Sequence, residues 1–165
     1  MPDASTTNAE DEARRLEVVS AVIGELLRRP DVAQRLRAAG SEEWSALQIV
    51  GHMTELIPYW MHDAQTLAAN AGAPPHFGRN LDAPERLEAV ARAATSDPDE
   101  LLRRRAADVQ NAAVDIRAMS PEERAETGIH NRRGEMTVAE VIEQLVVHHA
   151  EDHVGQVRQV LGLSE

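Results

Sequence analysis

Leu145-Val146-Val147-His148-His149-Ala150-Glu151-Asp152-His153-Val154-Gly155-Gln156 is the stretch on which the reading of this chain turns. At about 100° per residue, Val138, Ile142, Leu145, His149, Gln156 and Val160 fall within roughly 60° of one another, as on the core-facing stripe of a helix. Thr137-Val138-Ala139-Glu140 has the form of a capping box and opens this helix. Gly162 is placed to end it, because glycine accepts the left-handed conformation of a helix C-terminus without strain. His149 therefore sits in the middle of a core stripe, and His153 lies about 40° to one side of it.

The rest of the chain repeats this pattern. Leu16, Val19, Val22, Ile23, Leu26 and Leu27 recur at three- and four-residue spacing, which predicts a helix over about 10–28, closed by Pro30. Val32 to Ala39 add a turn or two before Gly40. Ser45-Ala46-Leu47-Gln48 is a second capping box, and Ile49, Met53, Leu56, Trp60 and Leu67 extend its helix to about Asn70, with Pro58 inside. Gly72, Pro74, Pro75 and Gly78 mark 71–82 as a connecting loop. A short helix fits Pro84 to Ala94. Asp97-Pro98-Asp99-Glu100 then reads as an N-cap, a proline at the first helical position and an acidic third residue, and the helix behind it carries Leu102, Ala106, Val109, Ala113 and Ile116 on one side. Ser120-Pro121-Glu122-Glu123 starts one more turn, and Gly128 to Gly134 reads as loop.

No segment alternates apolar and polar residues, and no Asn-Gly hairpin is present. The expected fold is all-α: a four-helix bundle with extra short helices in the connections. Residues 1–9 read as a flexible N-terminal tail, and residues 10–165 as a single domain.

Composition narrows the function. The chain has 165 residues, enough for one core without staples, and 42% hydrophobic residues argue against disorder. It has no cysteine, which excludes a disulfide framework, a zinc ribbon and a cysteine nucleophile. The acidic, polar start does not resemble a signal peptide, and no apolar run approaches the roughly 18 residues of a membrane span, so no membrane partner and a cytoplasmic location are expected. The net charge of −11 argues against nucleic acid as a partner, since phosphate binding needs clustered cations. Arg103, Arg104 and Arg105 do cluster, but acidic neighbours surround them and they read as a solvated helix face.

The chemistry lies in the histidines. His149 and His153, at i and i+4, project from adjacent turns with Cβ atoms about 5–6 Å apart, close enough for both imidazoles to meet one ion at about 2.0–2.1 Å. His52 shares the inner side of its helix with Ile49, Leu56 and Tyr59. A single histidine on an apolar face reads as a core residue bonded to a neighbour. Three of them on two helices, two at ligand spacing, read as a metal site. His148 lies at the stripe's edge and either faces solvent or lines the site; His62, His76 and His130 read as surface groups. Asp152 either orients an imidazole, acts as a base or pairs with an arginine of a neighbouring helix. Gln156 either lines the site or bonds a buried backbone group. The glutamate of a zinc-protease H-E-x-x-H is missing, because Ala150 follows His149. Neither a serine-nucleophile elbow nor a phosphate-cradling glycine loop is present. Three histidines without a fourth protein ligand leave a coordination position for water or substrate, as catalytic sites do.

These residues carry a family resemblance. Trp44-Ser45-Ala46-Leu47-Gln48-Ile49-Val50-Gly51-His52 resembles the start of the second helix in the DinB/YfiT-type superfamily, and His149-Ala150-Glu151-Asp152-His153-Val154-Gly155-Gln156-Val157 resembles the H-x-x-x-H-x-G-Q of its last helix. The likeness extends through the order and spacing of helices from residue 10 to 162. It implies a four-helix bundle, often a homodimer, holding one divalent metal through His52, His149 and His153. It further implies a metal-dependent enzyme acting on a small-molecule substrate: a transferase using a low-molecular-weight thiol (bacillithiol, mycothiol or glutathione) or a hydrolase. The alternative is a non-catalytic metal-binding or stress-related interaction bundle. Three imidazoles suit Zn, Ni, Fe or Cu, with Zn or Ni expected here. No catalytic group is assigned.

Overall fold

The structure, a computed structural model, describes residues 4–39 and 44–164, and the side chains from residue 8 onward. Four long helical segments dominate: α1 (Ala4–Leu27), α2 (Ala46–Ala68), α4 (Pro98–Ala118) and a terminal rod made of α6 (Val138–Val141), a π-helical turn (Ile142–Val147) and α7 (His148–Val160). Shorter pieces join them: a 3₁₀ turn (Pro30–Arg35), α3 (Pro84–Ala93) and α5 (Pro121–Ala125). The all-α bundle read from the sequence is the architecture found. No helix among the described residues is long and apolar enough to cross a membrane.

The helix starts follow the capping chemistry. Ser45 accepts from the Gln48 backbone N–H at 3.2 Å while the Gln48 side chain accepts from the Ser45 N–H at 3.0 Å. Ser120 with Glu123 and Thr137 with Glu140 make the same reciprocal pair. Asp97 accepts from the Asp99 and Glu100 N–H groups. Each such cap contributes about 1 kcal/mol by satisfying donors that a first helical turn leaves bare. Gly162 ends the last helix at φ +68°.

Ile49, Leu56, Ile142 and Leu145 share one continuous core with Leu16, Ile23 and Ile116. Gly51 lets α3 press against α2: a Cβ there would stand 2.2 Å from the Ala93 Cβ. At the α5 end, the buried Glu12 carboxylate accepts from Arg124 at 2.8 and 3.0 Å, tying α1 to α5. Burial pushes the Glu12 carboxyl up, against the pull of that guanidinium.

Four features depart from the sequence reading. α1 begins at Ala4, so residues 4–9 continue the helix rather than forming a tail; residues 1–3, and Gly40 as a helix end, lie outside the described residues. The 128–134 stretch is not loop. Thr127–His130 (β2) and Gly134–Thr137 (β3) form an antiparallel hairpin, with His130 opposite Gly134. His76–Phe77 (β1), inside the expected 71–82 loop, pairs parallel to β2. Third, Arg105 is buried at 1% exposure and donates to the Ser20 carbonyl, whereas Arg103 and Arg104 face solvent as expected. Fourth, the terminal rod is not a uniform α-helix. Its π turn ends immediately before His148 and resets the phase of the residues that follow.

Candidate metal centre and its pocket

His52 projects from the second turn of α2, and His149 and His153 from the first two turns of α7. The core contacts of both elements hold the three side chains in place. Their rings meet: centroids lie 4.9 Å apart for His52 and His153, 4.7 Å for His149 and His153, and 5.9 Å for His52 and His149. One ring nitrogen from each lies within 4.8 Å of the other two. His52 and His153 are buried and His149 is half-buried.

Hydrogen bonds decide what these rings can offer. His153 Nδ1 lies 2.7 Å from Gln156 Oε1. An amide oxygen only accepts, so the His153 proton sits on Nδ1 and Nε2 keeps its lone pair. That Nε2 is buried with no hydrogen-bond partner among the described residues, as is His52 Nδ1. Burial and the neighbouring imidazoles hold His52 well below the usual histidine range and His149 at about 4, and burial likewise lowers His153. All three rings are therefore neutral near pH 7. Neutral, convergent nitrogens, two of them buried without partners among the described residues, are the donor set that a borderline divalent cation prefers, and an ion would satisfy the two orphaned atoms. The residues present fit a metal.

Gln156 is at the site, as the acceptor that orients His153. His148 and Asp152 are not: their side chains are 63% and 62% exposed and stand 3.7 Å from each other on the outer face. Glu151, between them, binds Arg15 of α1 at 2.7 Å. His62 and His76 are exposed. His130, read as a surface group, is instead 3% exposed and packs beside Trp60 and Phe77.

The histidines form the floor of a pocket of about 420 Å³. Trp44, Trp60 and Leu145 give it apolar walls. Arg79, Arg86, Arg132 and Arg133 surround its mouth, and the sequence reading singled out none of them. Arg132 and Arg133 sit in the β2–β3 turn, Arg86 on the first turns of α3, and Arg79 in the segment after β1. An adjacent arginine pair beside a glycine, in so acidic a chain, was the one available clue.

The sequence model of the DinB superfamily matches residues 15–157. This chain belongs to the DinB superfamily. No curated protein matches it in sequence. Among solved structures, YfiT from Bacillus subtilis, described as a probable metal-dependent hydrolase with an unusual four-helix bundle topology, superposes with a TM-score of 0.73 at 16% identity, covering 94% of this chain and 89% of YfiT. A mycothiol-dependent maleylpyruvate isomerase superposes with a TM-score of 0.66 at 16% identity, covering 93% of this chain and 65% of the isomerase. At such identities the likeness establishes a shared fold alone.

Proposed function

We propose that this DinB-superfamily chain is a divalent-metal-dependent enzyme whose ion is held by His52, His149 and His153, and which transfers a low-molecular-weight thiol to, or hydrolyses, a small electrophile. The carrying observation is the convergence of three neutral imidazoles, two with partnerless buried nitrogens, at the floor of a pocket. The outward orientation of His148 and Asp152 supports a coordination position left to water or substrate rather than a shell closed by protein. Zn or Ni suits the donor set. Bound there, such a cation lowers the pKa of a thiol or water and so raises the fraction of reactive anion near neutral pH.

The chain's own residues do the positioning. Gln156 fixes the His153 tautomer, and Trp44, Trp60 and Leu145 offer apolar surface beside the three histidines. With no cysteine in the sequence, the nucleophile comes from outside: a small thiol or water. The relatives named above, one a probable hydrolase and one a thiol-dependent isomerase, supply the two candidate chemistries. A homodimer remains part of the proposal on the family resemblance.

Elemental analysis of the untagged protein tests the reading, with one divalent ion per chain expected in the wild type and none in His149→Ala. Metal-loaded protein is then assayed against small electrophiles with and without each bacterial thiol. Thiol-dependent turnover supports transfer, and chelator-sensitive turnover without thiol supports hydrolysis. Full turnover by verified metal-free protein overturns both.

A further inference from the structure

The metal reading leaves the other end of the pocket unused. Four guanidinium groups around one mouth are out of character for a molecule of net charge −11. Only Arg79 is ion-paired there among the described residues: it binds Glu55 at 2.6 Å and lies 3.8 Å above the Tyr59 ring. Arg86 donates to the Leu81 carbonyl at 2.7 Å, and Arg133 to the Gln144 side chain at 3.0 Å. Neither these two nor Arg132 faces a carboxylate within 4 Å among the described residues. Burial and the adjacent Arg79 charge make the Arg86 cation costly, which a bound anion would relieve.

His130 ties the rim together. Its Nδ1 accepts from the backbone N–H groups of Arg132 and Arg133 at 3.1 and 3.2 Å. The ring proton is therefore on Nε2, a donor that is buried and partnerless among the described residues. His130 thus fixes the turn that carries both arginines. A 3% exposed side chain spent on holding two surface arginines in place marks a built rim rather than a solvated charge run.

We propose that the substrate or co-substrate is a small organic carboxylate, held through its anionic group by Arg86, Arg132 and Arg133, with its reacting end directed to the histidine floor. This rests on the proposed function for the location of the reacting end; the anion subsite itself does not need the metal. The pocket size suits a ligand of metabolite to drug size. A planar carboxylate matches the guanidinium fork in two parallel hydrogen bonds. The long-range field of so acidic a protein repels anions, so the arginines serve recognition at close range.

The two tryptophans of the chain, Trp44 and Trp60, both line this pocket, so intrinsic fluorescence reports its occupancy. Chelator-treated and Zn-loaded protein would each be titrated with succinate, its neutral diamide succinamide, and inorganic phosphate. Succinate is expected to bind in both forms at least about tenfold more tightly than succinamide, and to weaken with rising salt. Arg86→Gln, and Arg132→Gln with Arg133→Gln, should each cost about tenfold in succinate affinity or more, with Arg86→Lys recovering part of the loss and Zn stoichiometry unchanged throughout. Equal affinity for succinate and succinamide overturns the anion subsite, and so does undiminished succinate binding in the arginine variants. Phosphate binding as tight as succinate overturns the carboxylate class. Absence of Zn binding with succinate binding intact overturns the proposed metal function and leaves this subsite standing.

Discussion

The floor and the rim of this pocket are built by different kinds of chain. The floor histidines stand on α2 and α7, two helices packed into the core. The rim arginines stand on connections: the segment after β1, the start of α3 and the β2–β3 turn. Rigid elements hold groups whose geometry must be met within fractions of an ångström, as metal ligands require. Connections tolerate replacement and so suit groups that select among ligands. The division predicts that floor changes abolish metal binding outright, while rim changes alter which molecule binds.

The strongest test of that division is His149→Ala. Removing one of three imidazoles should lower divalent-ion affinity by more than about a hundredfold, since even outer partners of metal ligands are worth 10–100-fold. Competition with a chromogenic chelator would read it. The matched control, His76→Ala, removes an exposed imidazole of β1 and should leave the affinity unchanged. Equal affinity in wild type and His149→Ala would sink the assignment.

Next in size is Gln156→Leu. It keeps the volume near the floor but takes away the acceptor that fixes the His153 proton on Nδ1. Metal affinity should drop about 10–100-fold, with far-UV circular dichroism unchanged. A drop in stability without a drop in affinity would make Gln156 merely a packing residue.

Gly51→Ala probes where floor and rim are coupled. The new methyl would stand 2.2 Å from the Ala93 Cβ, so α3 must shift, and Arg86 with it. Overpacking of this kind costs about 1–3 kcal/mol in urea unfolding. Carboxylate binding should weaken, while metal affinity, set by His52 about 100° around α2 from Gly51, should hold. Loss of both to the same degree would mean that α2 is not a rigid platform.

The same division explains what could be read from the sequence. Helix-borne features have a period, so the bundle, the capping boxes at Ser45 and Thr137 and the inward placement of His52, His149 and His153 were legible from spacing and end chemistry. The rim had no such pattern. β2 and β3 are four residues each, and their turn, Asn131-Arg132-Arg133, lacks the Asn-Gly or Asp-Gly that marks tight hairpins. β1 has two residues and pairs with a strand far along the chain, a contact that local sequence does not encode. His130 therefore looked like a loop histidine until the sheet placed its ring under the mouth of the pocket. The π turn was equally hidden: Ile142–Val147 continues the apolar spacing of the helix around it, and no residue in it marks an inserted bulge.

The smallest expected effect falls where the two regions join. Thr137 is the last residue of β3 and the N-cap of α6, so it ends the rim hairpin and starts the floor helix. Its hydroxyl accepts from the Glu140 N–H at 3.1 Å, and the Glu140 carboxylate accepts from the Thr137 N–H at 2.8 Å. Thr137→Ala removes the first bond, together with the longer 3.3 Å bond that the same hydroxyl donates to the Glu140 carboxylate, and keeps the second, because the backbone donor remains. The cost should therefore be near the middle of the capping range, about 1 kcal/mol of unfolding free energy. The register of the hairpin does not depend on that hydroxyl: Thr137 pairs with Thr127 through the backbone, and Val138 N–H still reaches the Glu126 carbonyl at 2.8 Å. Metal affinity and carboxylate affinity should then both stay within about threefold of wild type, a difference under about 0.7 kcal/mol. A larger fall in carboxylate binding alone would show that the arginine turn is held by this junction as well as by His130. A fall in metal binding alone would show that α6 sets the phase of the rod through the π turn, making the floor less independent of its connection than the core contacts suggest.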